Sequence, residues 1–303
     1  MNLRDLDYIC AVADTGHFGR AADMCHVSQP TLSGQIKKLE DYLGVTLFER
    51  ARSGAKPTDV GRSIVDIART IQADAKRIKS LAETRKDPFS GNVTLGIIPT
   101  LAPNVIPLFV PKISAQFPRL VPQFEEDQTS RLTQRLVAGQ LDFAILATPP
   151  EHDALMQIPL FNEPFWLAFP QNDPIGTLEQ LSLADVDVDG LMLLNEGHCL
   201  RDQALELCST MGRSDQGLKA ASLDTLIKLT AATHAMTLVP ALAVDKTNFK
   251  SIGLAVRTID DPKAYRTVSL TFRRSLPRKD LAEGIAGLIA SNLPESVTPL
   301  FRI

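Results

Sequence analysis

Residues Gly197 to Cys208 read GHCLRDQALELC, which sets Cys199 beside His198, two positions before Arg201, and places a second thiol, Cys208, nine positions on. A cysteine is nucleophilic and oxidisable as its thiolate, and nearby positive charge favours that form. His198, Arg201 and the N-terminus of a following helix are groups able to supply it. Two cysteines in such a run are equally well two small hydrophobes in a core. The spacing by itself leaves both readings open, and the rest of the chain has to decide.

The chain has 303 residues, more than one ordinary hydrophobic core accommodates, so two or three domains are expected. Its 44% hydrophobic and 22% charged residues fit a globular protein, which excludes a disordered or fibrous one. No apolar run reaches the roughly 18 residues a bilayer span needs. The opening MNLRDLDYIC carries acids where a signal peptide has a basic then apolar start. The expectation is a cytoplasmic chain without membrane association. Four cysteines in this length do not make a disulfide scaffold. Cys25 and His26 lack further closely spaced ligands, so no metal and no cofactor is expected. The net charge of −3 conceals an asymmetry: residues 1–86 carry 14 basic and 11 acidic groups, the remainder 18 and 24. A mildly basic head on an acidic body suits a polyanion partner.

Leu3, Leu6, Ile9, Cys10 and Ala13 recur at helical spacing and stop at Gly16, which predicts a first helix with Cys10 in the core. A short helix from Gly19 to about Cys25 follows. Ser28 is a good N-cap for a third helix running to about Leu43, with Pro30 in the first turn where its missing N–H costs nothing. Two helices joined so closely form a helix-turn-helix, and Gln29, Thr31, Ser33, Gln35, Lys37 and Lys38 give the third helix groups for base edges and phosphates. An ordinary solvated helix face carries similar residues. The segment VTLFER and the basic turn from Arg50 to Lys56 predict a wing, with Arg50, Arg52 and Lys56 set to meet phosphate. From Asp59 to about Lys86, Ile64, Ile67, Ile71, Ala75, Ile78 and Leu81 form an apolar stripe on a long helix. That stripe either folds back on its own chain or pairs with the same helix of a second subunit, which also supplies the two-fold symmetry of a DNA palindrome.

Beyond Gly91 strands and helices alternate: NVTLGII, a helix from about Ala102 to Phe117 weakened by Pro107 and Pro111, PQFEED, a helix from Ser130 to Ala138, and LDFAILA. Such alternation predicts parallel sheets with crossover helices. A second set contains PFWLAFP, LMLLNE, a helix after Cys199, SLDTLIKLTAA and MTLVPAL, before RTVSLTFRR returns to the first. Thr100 and Thr129 each follow a strand and precede a helix, so they serve either as N-caps or as hydroxyls aimed into one cleft at the strand ends.

The run AADMCHVSQPTLSGQIKKLEDYLGVTLFER, followed by KPTDVG, resembles the winged helix-turn-helix of LysR-type transcriptional regulators, with Gly34 where some members carry a basic residue. The resemblance implies an α/β protein with a winged helix-turn-helix over 1–58 and a dimerising linker helix within 59–90. It implies a regulatory region over 91–303 of two subdomains similar to periplasmic binding proteins, about 91–162 with 268–303, and about 163–267. Promoter DNA, a second copy in a dimer or tetramer, and RNA polymerase are the implied partners. GHCLRDQA with the second cysteine, IPT at 98–100, DQT at 127–129, and SLDTL followed by LVPALAV resemble, more narrowly, members of that family that sense hydrogen peroxide. That implies an activator in which Cys199 is the peroxidatic thiol and Cys208 resolves its sulfenic acid, with Thr100, Thr129, His198 and Arg266 lining the peroxide site. On one continuous helix the two cysteines would stand roughly 13 Å apart along the axis, whereas a disulfide needs Cα atoms within about 7 Å. Oxidation would therefore unwind LRDQALEL and remodel the region. Two other readings remain: a LysR-type regulator of a small organic effector with incidental cysteines, and a thiol peroxidase.

Overall fold

A computed structural model describes residues 1–51, 54–84, 87–186, 190–208 and 219–301. The chain divides into two units, one of residues 1–85 with 138–140 and one of residues 86–137 with 141–303.

In the first unit α1 (Leu3–Thr15) is opened by a reciprocal Asn2–Asp5 capping box and closed by Gly16 in the left-handed region. Helix α2 (Phe18–Met24) leads through His26, itself at φ 53°, into α3 (Gln29–Leu43). Ser28 caps α3 by accepting from the Thr31 amide at 3.3 Å. Strands β1 (Phe48–Ala51) and β2 (Gly54–Pro57) form the wing hairpin. Glu40 near the end of α3 accepts the amides of Leu47, at 2.7 Å, and Phe48, at 3.3 Å, so α3 sets where the wing starts. Leu6, Ile9, Val12, Leu32, Ile36, Leu39 and Phe48 fill the core with Cys10, as the sequence predicts. Burial pushes the Cys10 thiol up to about 11, despite the Arg69 cation nearby.

Helix α4 (Asp59–Thr84) begins against the wing. A Cβ on Gly61 would stand 2.0 Å from the Leu47 carbonyl oxygen, so only glycine permits this approach. Val65 and Ala68 close the core of the head, and Arg69 and Gln72 bond to Asp14 and Asp7 of α1 at 2.5 and 2.7 Å. The apolar stripe therefore splits. Ile64 packs against the head, whereas Ile67, Ile71 and Ile78 remain 60%, 37% and 69% exposed. The side chain of Leu81 and residues 85 and 86 lie outside the described residues.

The second unit is built on a sheet in which β3 (Gly91–Ile97) runs parallel to β4 (Leu120–Glu126) and to β5 (Phe143–Leu146). Helices α5 (Ala102–Gln116) and α6 (Thr129–Val137) are the crossovers. Helix α5 runs unbroken through Pro107 and Pro111, because Val105, Phe109 and Ile113 on one face are wholly buried and hold it. The parallel expectation stops at β5. Strand β6 (Leu155–Pro170), 16 residues long, pairs antiparallel with β9 (Thr237–Pro240), β10 (Leu254–Thr258) and β11 (Tyr265–Arg273). Strand β11 returns antiparallel to β5, and α9 (Lys279–Ala290) buries Leu281, Ile285 and Ile289 in the same core. A short parallel pair, β7 (Leu193–Leu194) and β8 (Lys219–Ala220), flanks α7 (Cys199–Cys208), and α8 (Leu223–Thr233) starts at the Ser222 cap. No helix among the described residues is long and apolar enough to cross a membrane.

Candidate functional site

Strands β3 and β4 end in register, Ile97 opposite Glu126. Each is followed three residues later by a threonine, so Thr100 and Thr129 meet outside the carboxyl ends of adjacent parallel strands, where open α/β sheets bind ligands. Of the two roles open to them, neither threonine takes that of N-cap. The N-cap of α5 is Leu101, without a side-chain bond. Thr129 Oγ1 is buried and, apart from the Cys199 thiol, has no hydrogen-bond partner. Gly197, at φ 89°, turns the chain so that α7 opens with Cys199 against these two loops.

A pocket results, lined by Ile98, Pro99, Thr100, Gln128, Thr129, Gly197, His198 and Cys199. Its atom-free space is about 180 Å³ including the open mouth, and inside there is room for a body of about the size of a water molecule. Behind it, Arg266 is 2% exposed and donates from Nη1 to Thr100 Oγ1 at 3.0 Å. Its Nε donates to Glu163 Oε2 at 2.8 Å. Its Nη2 stands equally close to that oxygen but off the line of a hydrogen bond, so this buried nitrogen keeps donor capacity unspent.

Burial pushes the Cys199 thiol up. The Arg266 cation, the Thr129 hydroxyl and the Leu200 amide pull it down, but less strongly, and Asp202 adds to the rise. His198 lines the pocket, while Arg201 turns to Glu196 at 3.9 Å and Asp202 at 3.4 Å. The cation that favours the thiolate is foremost Arg266, 67 residues further along the chain. Because the pKa is raised, the thiolate is scarce at neutral pH. Alkylation of Cys199 by iodoacetamide is expected to climb about tenfold per pH unit with no plateau by pH 9.0, the ordinary thiol value. A plateau at lower pH in a stopped alkylation series would contradict this.

Helix α7 is continuous from Cys199 to Cys208. Cys199 belongs to the core of the β3–β5 sheet, while Leu200 and Ala204 enter two further apolar clusters. Gln203 Nε2 donates to the Ala147 carbonyl at 2.7 Å. Cys199, Cys10 and Cys25 are free thiols, and the Cys208 side chain lies outside the described residues. Sequence reasoning missed Gln128, Gln203 and Glu163. For Glu163 there was a signal, a lone carboxylate within the apolar strand LFNEPFWLAF, where burial demands a charged partner.

On the head, Ser28, Gln29, Pro30, Thr31, Lys37 and Lys38 are exposed along α3, with Ser33 and Gln35 half-buried. Ser28 and Thr31 hydroxyls bond to each other at 2.7 Å. A side chain added at Gly34 would meet nothing within 4 Å, so the helix face there is open. Lys56 is exposed on β2, and Arg52 and the Arg50 side chain lie outside the described residues. Among the described residues no group of three or more His, Cys, Asp or Glu side chains is placed to hold a metal.

Residues 3–62 match the family described as bacterial regulatory helix-turn-helix protein, lysR family, and residues 86–293 match the LysR substrate binding domain. The DNA-binding transcriptional dual regulator OxyR of Escherichia coli K12 is 41% identical over 294 residues, covering 97% of this chain and 96% of that protein. A full-length, cysteine-substituted OxyR from Pseudomonas aeruginosa is 35% identical and superposes with a TM-score of 0.74, over 97% of this chain and 99% of that one. A cysteine-substituted OxyR from Corynebacterium glutamicum with hydrogen peroxide bound is 30% identical, with a TM-score of 0.64 over 96% and 92%.

Proposed function

The chain belongs to the LysR family of helix-turn-helix regulators, and we propose that within it this protein is a DNA-binding transcriptional activator that senses hydrogen peroxide through Cys199. The observation that carries this reading is the small pocket in which the Cys199 thiol meets the buried hydroxyl of Thr129, with Thr100 and Arg266 behind. Peroxide is small enough to enter through the open mouth and carries an O–H at each end to meet these hydroxyls.

The Cys199 sulfur attacks one peroxide oxygen, and the O–O bond breaks. The departing hydroxide takes up the thiol proton as water, leaving a sulfenic acid. Thr100, Thr129 and His198 orient the peroxide, and the buried Arg266 stabilises the charge that develops on the leaving oxygen. The Cys208 thiol then attacks the sulfenic sulfur, a disulfide forms and a second water leaves. The thiolate is the form that attacks, so its scarcity slows this step and the surrounding groups have to offset it. Selectivity comes from groups that stabilise the transition state for one small molecule, and the thiolate of a weakly acidic thiol is the stronger nucleophile.

The continuous α7 keeps the two cysteines apart, so forming the bond unwinds the helix, releases Leu200 and Ala204 from their clusters and changes the subunit contact. Helix α4 joins two copies through Ile67, Ile71 and Ile78, and the assembly, a tetramer, acts on transcription through RNA polymerase. Ser28, Gln29, Pro30, Thr31, Ser33, Gln35, Lys37 and Lys38 approach the major groove, and Arg50 and Arg52 approach the backbone. The protein responds stoichiometrically and does not turn peroxide over.

The test is a footprint of the full-length protein on promoter DNA. One equivalent of peroxide should remove two thiols per chain and change the protected pattern, with dithiothreitol restoring both. Full oxidation with an unaltered footprint would refute the switch, and sustained peroxide turnover with a thiol reductant would point to a peroxidase.

A further inference from the structure

We propose that Glu163 is a positioning residue of the peroxide site, acting through Arg266; this rests on the peroxide-sensing reading above. Glu163 and Arg266 are directly opposed across the β6–β11 pair, and both side chains are fully buried. Opposed cross-strand side chains have their Cβ atoms within about 5 Å, close enough to hold each other.

Each oxygen of the carboxylate has a different task. Oε2 takes the Nε–H of Arg266 at 2.8 Å and lies 2.8 Å from Nη2. Oε1 accepts the backbone amide of Leu242 at 2.9 Å, in the turn Ala241–Ala243 that follows β9. The carboxylate is therefore tethered at both ends. A guanidinium is planar and presents its donors in a fixed fork. Holding Nε and the Nη2 edge on Glu163 therefore leaves Nη1 directed at Thr100 Oγ1, where it bonds at 3.0 Å.

Thr100 Oγ1 spends a lone pair on Arg266, so its own hydrogen is free to point elsewhere, and Thr100 lines the pocket. Glu163 thus sets the orientation of a hydroxyl two bonds removed from it, and does so without touching the thiol or its oxidant. It also lets a guanidinium exist in a site with almost no solvent, since a buried cation without a counter-charge is strongly disfavoured.

A misplacement of about 1 Å in such a constellation costs on the order of a hundredfold in rate. Glu163→Asp keeps the charge, and with it the balance of the pair, but shortens the reach, so one carboxylate no longer holds both Leu242 and Arg266. Glu163→Gln keeps the length and removes the charge. In full-length protein, both are expected to slow Cys199 oxidation by hydrogen peroxide about tenfold to a hundredfold, while alkylation by iodoacetamide, which needs no oriented hydroxyl, changes less than about threefold. Thr100→Val is expected to add little in the Glu163→Asp background, because the two act in series.

A folded Glu163→Asp protein with the unaltered peroxide rate overturns the proposal. So does a parallel fall in the peroxide and iodoacetamide rates, which is the mark of general loosening around the thiol. If Glu163→Gln fails to fold, Glu163→Asp decides. The peroxide-sensing reading fails separately, if unsubstituted Cys199 reacts with peroxide no faster than an ordinary thiol at equal thiolate fraction.

Discussion

Cys199→Ser will leave the protein folded and bound to DNA, and will lower its reaction with hydrogen peroxide by more than about a thousandfold. The exchange is close to isosteric and swaps one small polar atom for another, so stability should move by no more than about 1 kcal/mol. What disappears is the only thiol among the described residues that line the pocket. The other described cysteines do not replace it. With its pKa pushed up to about 11, Cys10 is ionised in about one molecule in ten thousand at neutral pH. Cys25, half-buried in the head, is also shifted upward by burial and by Asp7. Thiol counting after one equivalent of peroxide, with a footprint on the same samples, checks the outcome. A Cys199→Ser protein whose footprint still responds to peroxide would return the cysteines to the status of core hydrophobes and revive the organic-effector reading.

Ile67→Asp combined with Ile71→Asp should separate the subunits while leaving each fold intact. Both side chains project from α4 into solvent, unlike Val65 and Ala68 one turn-face away, which close the head core. Exposed substitutions of this kind alter monomer stability by roughly 0.5 kcal/mol each. Placing two carboxylates on a surface that must pair with its own copy sets four like charges in one interface. Two heads held on one scaffold engage a palindrome with an avidity gain of about 10² to 10⁴, so specific DNA binding at fixed salt should fall by that order, while the residual half-site binding keeps its sequence preference. Sedimentation and gel-shift titrations read the two effects independently. A doubly substituted protein that still sediments as a dimer would show that the exposed stripe is not the subunit contact.

The head was readable because its signals are local. Ser28, Gly16 and Gly44 mark helix ends through their own side chains or backbone preferences, and apolar spacing identifies the buried face. Where long-range pairing decides, the sequence said less. Pro107 and Pro111 pointed to a weakened α5, but the packing of Phe109 and its neighbours outweighs two missing hydrogen bonds. Strand β6 was visible only in its second half, because along its length it changes partners from β11 to β9 and β10, and no single alternation runs through it. The same strand makes the sheet mixed where alternating elements predicted it parallel. Around the pocket, the cysteine, histidine and threonines stood in short recognisable runs. Glu163 did not, since its partner lies 103 residues away and only the fold sets them opposite each other.

The docking of α7 has a consequence for how the signal ends. Undoing the helix exposes Leu200, and returning a leucine from an apolar cluster to water costs about 1.5–3 kcal/mol. That work burdens the oxidised form alone, so it weakens the disulfide against external thiols: each ~1.4 kcal/mol raises the reduction potential by about 30 mV. The residues that hold the sensor silent at rest thereby also fix how oxidising the surroundings must be for the alarm to persist, and the protein resets once that condition lapses.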